Sequence, residues 1–136
     1  MTVQNRRKAI EKMIERSKGA FKEANLLCEE GLCYGAISRA YYSMFYLTQA
    51  VLTTKDLSRK KHFAVISAFA EHFIKQGLLS KDLHSKIRQA FDERNVADYE
   101  VEILKSEEDS IEILKYALEF SEQVTPFLKN WIEENN

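Results

Sequence analysis

Proline is nearly missing from this sequence: Pro126 is the single one among 136 residues, and only four glycines accompany it. Turn-rich β architectures and long flexible linkers use both residue types heavily, so neither fits. Cysteine is also scarce. Cys28 and Cys33 are the two present, too few for a disulfide framework, and their C-x4-C spacing lacks the second ligand pair of a zinc site. They read as buried free thiols in a reducing compartment. No long, purely apolar run exists; the nearest, Tyr34 to Leu52, is interrupted by Arg39, Gln49 and tyrosines, which argues against a membrane span. The opening MTVQNRRKAIEKM has no apolar stretch of signal-peptide type. A soluble, cytoplasmic protein is therefore expected. Bulk charge is missing too: at −1, the net charge gives no general attraction to polyanions.

What is present is helical periodicity. With 45% apolar residues, the chain suits one compact domain over residues 1–136. Ile10, Met13, Ile14, Phe21, Ala24, Leu27 and Cys28 follow one helical stripe, predicting a first helix from about Asn5 to Glu30. Gly19 falls inside it at a cost of about 1 kcal/mol relative to Ala, which a close helix crossing would explain. Tyr34–Leu52 is apolar nearly all round, so it is predicted to be the buried central helix. A polar, basic loop, TTKDLSRKK, precedes a third helix over about His62–Gln76, with Val65, Ile66, Phe69, Phe73 and Ile74 inward and Gly77 as the stop. Ser80 is suited to cap a fourth helix whose inner face is Leu83, Ile87, Ala90 and Phe91. Ser106 and Asp109 form a capping-box pattern for a fifth, with Ile111, Leu114, Leu118 and Val124 as its stripe. Pro126 predicts a break there, with Thr125 capping a short last helix. The fold class expected is all-α, an up-and-down helical bundle of about five helices.

Several residues stand out against this pattern. Arg39, Tyr42, Tyr46 and Gln49 recur at steps of three or four, so the central helix carries one polar stripe. A buried guanidinium needs a carboxylate, a ligand or an exposed cleft, so Arg39 is a candidate site residue. Tyr41, Tyr42 and Tyr46 are suited either to base stacking or to the core. Lys60, Lys61 and His62 gather positive charge and an imidazole at the start of the third helix, where phosphate binds well. In FDERNVADYE, Arg94 arrives just where the apolar pattern turns polar, followed by Asn95, Asp98 and Tyr99. Arg39, Tyr42 and Arg94 are expected to approach one another, with Asp98 and Tyr99 as neighbours. His72 and His84 are expected at the surface. No histidine pair stands at metal-ligand spacing, so neither a metal nor a cofactor is expected.

Three motifs in order carry a family resemblance: A-x-x-R-A-Y-Y-x-x-F at Ala36, Arg39, Ala40, Tyr41, Tyr42 and Phe45; Lys60-Lys61-His62; and R-x-x-A-D-Y at Arg94, Ala97, Asp98 and Tyr99. Over about residues 5 to 125 the chain resembles a HEPN domain of the prokaryotic branch. The resemblance implies a helical bundle, usually a homodimer with a cleft between its subunits. It also implies either a metal-independent ribonuclease with an R-x4–6-H motif, or a partner of a minimal nucleotidyltransferase that binds nucleotide. Here Tyr99 stands where R-x4-H would place histidine, and Glu100 and Val101 follow. A tyrosine of ordinary pKa near 10 is a poor base at neutral pH.

Function then divides three ways. The first reading is a non-catalytic or weakly catalytic, dimeric partner module that binds a nucleotide or RNA phosphate through Arg39, Tyr42, Lys60, Lys61, His62, Arg94 and Asn95. It would associate with a minimal nucleotidyltransferase in a toxin–antitoxin-like pair. The second is an endoribonuclease toxin in which Arg94 works with His62, Asp98 or Tyr99 as the proton carrier. The third is a purely structural helical dimer with an internal ion-pair network.

Overall fold

The computed structural model describes residues 1–99 and 106–136, and side chains outside residues 97–99. Every regular element among the described residues is helical: α1 (Val3–Glu29), α2 (Cys33–Thr54), α3 (His62–Phe69) followed by a π-helical turn (Ala70–Ile74), α4 (Lys81–Tyr99) and α5 (Glu107–Glu134). The expected all-α bundle is what forms. No described helix is long and apolar enough to cross a membrane.

Helix α1 begins at Thr2, whose hydroxyl accepts from the Asn5 amide at 3.0 Å. It ends in a Schellman turn. Gly31, at φ +75°, lets its own amide reach the Cys28 carbonyl and the Leu32 amide reach that of Leu27. The inward stripe is Ile10, Ile14, Ser17, Ala20 and Ala24, with Phe21 only partly covered. Gly19 does not mark a helix crossing, because a Cβ placed there meets nothing within 4 Å. The close approach is at Gly35, where a Cβ would lie 3.2 Å from Leu27 Cδ1.

Helix α2 packs against all four other helices and is buried on most of its circumference. Its buried hydroxyls turn back onto helix carbonyls: Thr48 to Met44 at 2.8 Å and Thr54 to Val51 at 2.6 Å. Thr53 and Thr54 extend the helix two residues past Leu52, so the basic loop starts at Lys55. The residues left half-covered include Arg39, Tyr42, Tyr46 and Gln49, the polar stripe of the sequence.

The third helix is not regular to Gln76. After Phe69 it widens, the Lys75 amide reaching the Ala70 carbonyl at 2.9 Å, before Gly77 (φ +72°) stops it. The wider turn leaves both Phe69 and Phe73 fully buried, ring centroids 6.4 Å apart. Helix α4 turns Leu83, Ile87 and Ala90 inward, as their spacing predicts.

Helix α5 departs from expectation in two ways. The Ser106–Asp109 capping box forms in both directions, but no break follows at Pro126. The helix continues to Glu134 because Pro126 and Glu122, whose carbonyl loses its intrahelical donor, both face solvent. Its buried row is Ile113, Leu114, Ala117, Phe120, Val124 and Leu128, whereas Ile111 and Leu118 are exposed. Ala117 rather than Leu118 faces the core. Cys28 and Cys33 are free thiols, half-buried rather than buried, and Cys28 Sγ lies 3.5 Å from Ser110 Oγ. His72 and His84 lie at the surface but are half-buried there.

Candidate functional site

Helix α4 has its inner row at Leu83, Ile87, Ala90 and Phe91, and the next position on that row is Arg94. The side chain therefore leaves the core beside the polar stripe of α2. Its Nη2 donates to the Tyr42 hydroxyl at 3.1 Å, and its Cζ lies 5.4 Å from the Tyr42 ring centroid and 5.7 Å from that of Tyr41. Arg39, three residues before Tyr42, places its own Cζ 5.3 Å from the same Tyr42 ring. Two guanidinium groups thus rest against one aromatic side chain, each contact favourable by about 0.5–2 kcal/mol depending on exposure. The expected meeting of Arg39, Tyr42 and Arg94 takes place. Arg39 Nε also reaches the Glu23 carboxylate of α1 at 3.5 Å. Asn95 accepts a long hydrogen bond, 3.5 Å, from Arg94 Nη1.

The imidazole of His62 enters from the first position of α3. Its Nδ1 shares a 2.9 Å hydrogen bond with the hydroxyl of Tyr41, a residue with no exposed surface. The ring stacks on Phe45 with centroids 4.1 Å apart and meets the edge of Tyr42 at 5.7 Å. Burial holds its pKa below the ordinary 6.5, and the positive charge of Arg94 lowers it further. Burial also pushes the Tyr41 phenol well above its ordinary value, so that Tyr41 stays protonated. At neutral pH the pair is a neutral imidazole held by a neutral phenol. When Nδ1–H is the donor, Nε2 is left to accept a proton.

Lys60 and Lys61 are exposed ahead of α3, and among the described residues neither bonds to this cluster. The side chains of Asp98 and Tyr99 lie outside the described residues. Three participants escaped sequence reasoning in these roles: Tyr41 as the partner of His62, Phe45 as its stacking surface, and Glu23 as the carboxylate on Arg39. Phe45 lies four residues from Tyr41 on one helix face, which is a legible signal. The approach of Glu23 depends on how α1 crosses α2 and leaves no local trace. No group of three His, Cys, Asp or Glu side chains suited to a metal ion occurs among the described residues.

The molecule is thus an all-helical bundle in which α2, α3 and α4 bring two arginines, two tyrosines and a histidine into one half-exposed cluster. The HEPN domain model matches residues 10–130, and the chain belongs to the HEPN domain family. It is 38% identical to "Putative toxin MJ0142" of Methanocaldococcus jannaschii over 103 residues, which is 75% of this chain and 70% of that protein. With "Putative toxin MJ0605" of the same organism it shares 32% identity over 123 residues, 90% and 91% of the two chains. A UPF0332 protein of Thermotoga maritima is 34% identical over 104 residues, 76% of this chain and 78% of that one.

Proposed function

We propose that this chain is a toxin-like HEPN module that binds the phosphate of a nucleotide or RNA at Arg39 and Arg94. In this reading it acts as a homodimer and pairs with a minimal nucleotidyltransferase. The observation that carries the reading is the convergence of both guanidinium groups on Tyr42. Arginine presents a planar fork of donors matched to phosphate oxygens, and an aromatic platform beneath it suits a base. The Glu23 carboxylate is 59% exposed, so an incoming phosphate displaces a contact that contributes at most about 1 kcal/mol. The names of the two Methanocaldococcus relatives support the toxin-like frame, within which a neutralising partner is expected.

A second reading is favoured by His62. Its neutral imidazole, close enough to Arg94 for the charge to act on it, is suited to take the proton of an attacking 2′-hydroxyl. Arg94 would hold the charge that develops on the phosphorane oxygens. In that step the 2′-oxygen bonds to phosphorus while the 5′-oxygen departs, leaving a cyclic phosphate. His62 would then supply, from a different helix, the imidazole that Tyr99 replaces in the local motif.

Incubation with labelled single-stranded RNA and with ATP, without metal and beside Arg94→Ala, separates the two. Binding without cleavage, weakened about tenfold or more in the variant, is the outcome expected of the phosphate-binding module. Cleavage to cyclic-phosphate ends, lost in both Arg94→Ala and His62→Gln, moves the assignment to a ribonuclease. Intact protein that neither binds nor cuts defeats both readings.

A further inference from the structure

The π-helical turn and α4 leave between them an open groove of about 610 Å3, lined by Ala70, Ile74, Lys75, Lys81, His84 and Ser85. Its lining is largely apolar, with Lys75 and Lys81 as its cationic side chains. Lys81, His84, Ser85 and Arg88 recur at steps of three and four along one face of α4. The row continues to a ring: Arg88 acts electrostatically on His84, and its guanidinium lies 5.4 Å from the Phe63 centroid. Phe63 is 57% exposed. Two links join this row to the arginine–tyrosine cluster. Phe63 directly follows His62, and Arg88 precedes Arg94 by under two turns of the same helix.

Carboxylates accompany the row: Asp82 follows Lys81 and pairs with Lys86 at 2.8 Å. Asp92 lies 3.6 Å from Arg88 Nε, and Glu71 lies 3.7 Å from His72. Lys75 and Lys81 form no ion pair among the described residues. A π-helical turn beside such a groove fits its frequent use at functional positions.

We infer that this groove is a track for single-stranded RNA, running outward from the cluster. Lys75 and Lys81 meet backbone phosphates, and Phe63, with Arg88 against its ring, offers a stacking surface for one base. The inference rests on the phosphate-binding reading of Arg39 and Arg94 and narrows it. A mononucleotide engages the cluster alone, whereas a strand engages both. An exposed aromatic interleaved with cations is the arrangement that holds single strands without reading their sequence.

The test is fluorescence anisotropy on the intact protein with a labelled oligouridylate of about twelve nucleotides, a length within the range single-strand sites occupy. Labelled ATP is the parallel probe. Lys75→Glu with Lys81→Glu is expected to weaken oligonucleotide binding about tenfold or more and to flatten its salt dependence, leaving ATP binding unchanged. Phe63→Ala is expected to weaken the oligonucleotide about fivefold or more, and Phe63→Tyr to restore it. All three positions are exposed, so a matched thermal melt accompanies each variant. Oligonucleotide affinity untouched by these variants overturns the track. If ATP then still depends on Arg94, the phosphate reading survives alone. Oligonucleotide binding that depends on the groove but ignores Arg94→Ala keeps the track and removes the cluster from it. A change in oligomeric state without a change in RNA affinity assigns the groove to a protein contact and overturns the inference. Absence of binding by either probe overturns both.

Discussion

Arg94 donates to the hydroxyl of Tyr42 at 3.1 Å, across 52 positions of sequence, and rests its guanidinium on the same ring. The bond ties the outgoing end of α4 to the middle of α2. It therefore orients a charge and also contributes to packing. Tyr42→Phe removes the acceptor and keeps the ring, so stability in urea should fall by about 1 kcal/mol. Tyr42→Leu removes both, and should cost about 1 kcal/mol more. Equal losses in the two variants would mean that the ring contact contributes nothing.

His62 predicts a pH dependence. Its folded-state pKa lies below the ordinary 6.5, through burial and then through Arg94. As pH falls below about 6.5 the unfolded chain takes up a proton that the folded protein does not. Stability from this group is thus full above that pH, declines as pH falls through the lowered folded value, and is level below it. His84, lowered by burial and then by Arg88, acts in the same direction. His62→Gln should therefore shrink the acid slope of stability below about pH 6.5 without abolishing it. An unchanged slope in equilibrium unfolding would show that His62 titrates alike in both states.

Pro126 offers a test of helix continuity. Inside α5 it removes one hydrogen bond while restricting the unfolded chain, and these effects oppose each other. Pro126→Ala should raise stability by roughly 1–2 kcal/mol, seen as a higher melting temperature. At the first turn of a separate helix the same substitution would be neutral or slightly harmful, so lower stability would contradict a continuous α5.

Much of the bundle was legible because burial writes itself as spacing. Ile10 and Ile14, Leu83 and Ile87, and the all-round apolar run of α2 each announce a buried surface. Ser106 and Asp109 announce a helix start equally clearly, since capping is completed within four residues. Where two apolar rows share one helix, spacing becomes ambiguous. Ile111 and Leu118 match the helical period as well as Ile113 and Phe120 do, and only the shape of the neighbouring helices selects between them. The π-helical turn leaves no periodic sign at all, being a single widened loop of backbone.

The candidate site divides along the same line. By itself the sequence determined that α2 carries a polar stripe of Arg39, Tyr42, Tyr46 and Gln49, and that Arg94 emerges where the inner row of α4 ends. Both follow from the period of one helix. The approach of Arg94 to Tyr42 was expected from the sequence, but only the tertiary structure decided its form, a hydrogen bond to the hydroxyl, and that Tyr41 holds His62 and Glu23 reaches Arg39. Such contacts depend on the angle and register at which helices cross, and these are set by the summed packing of the whole core rather than by any local pattern.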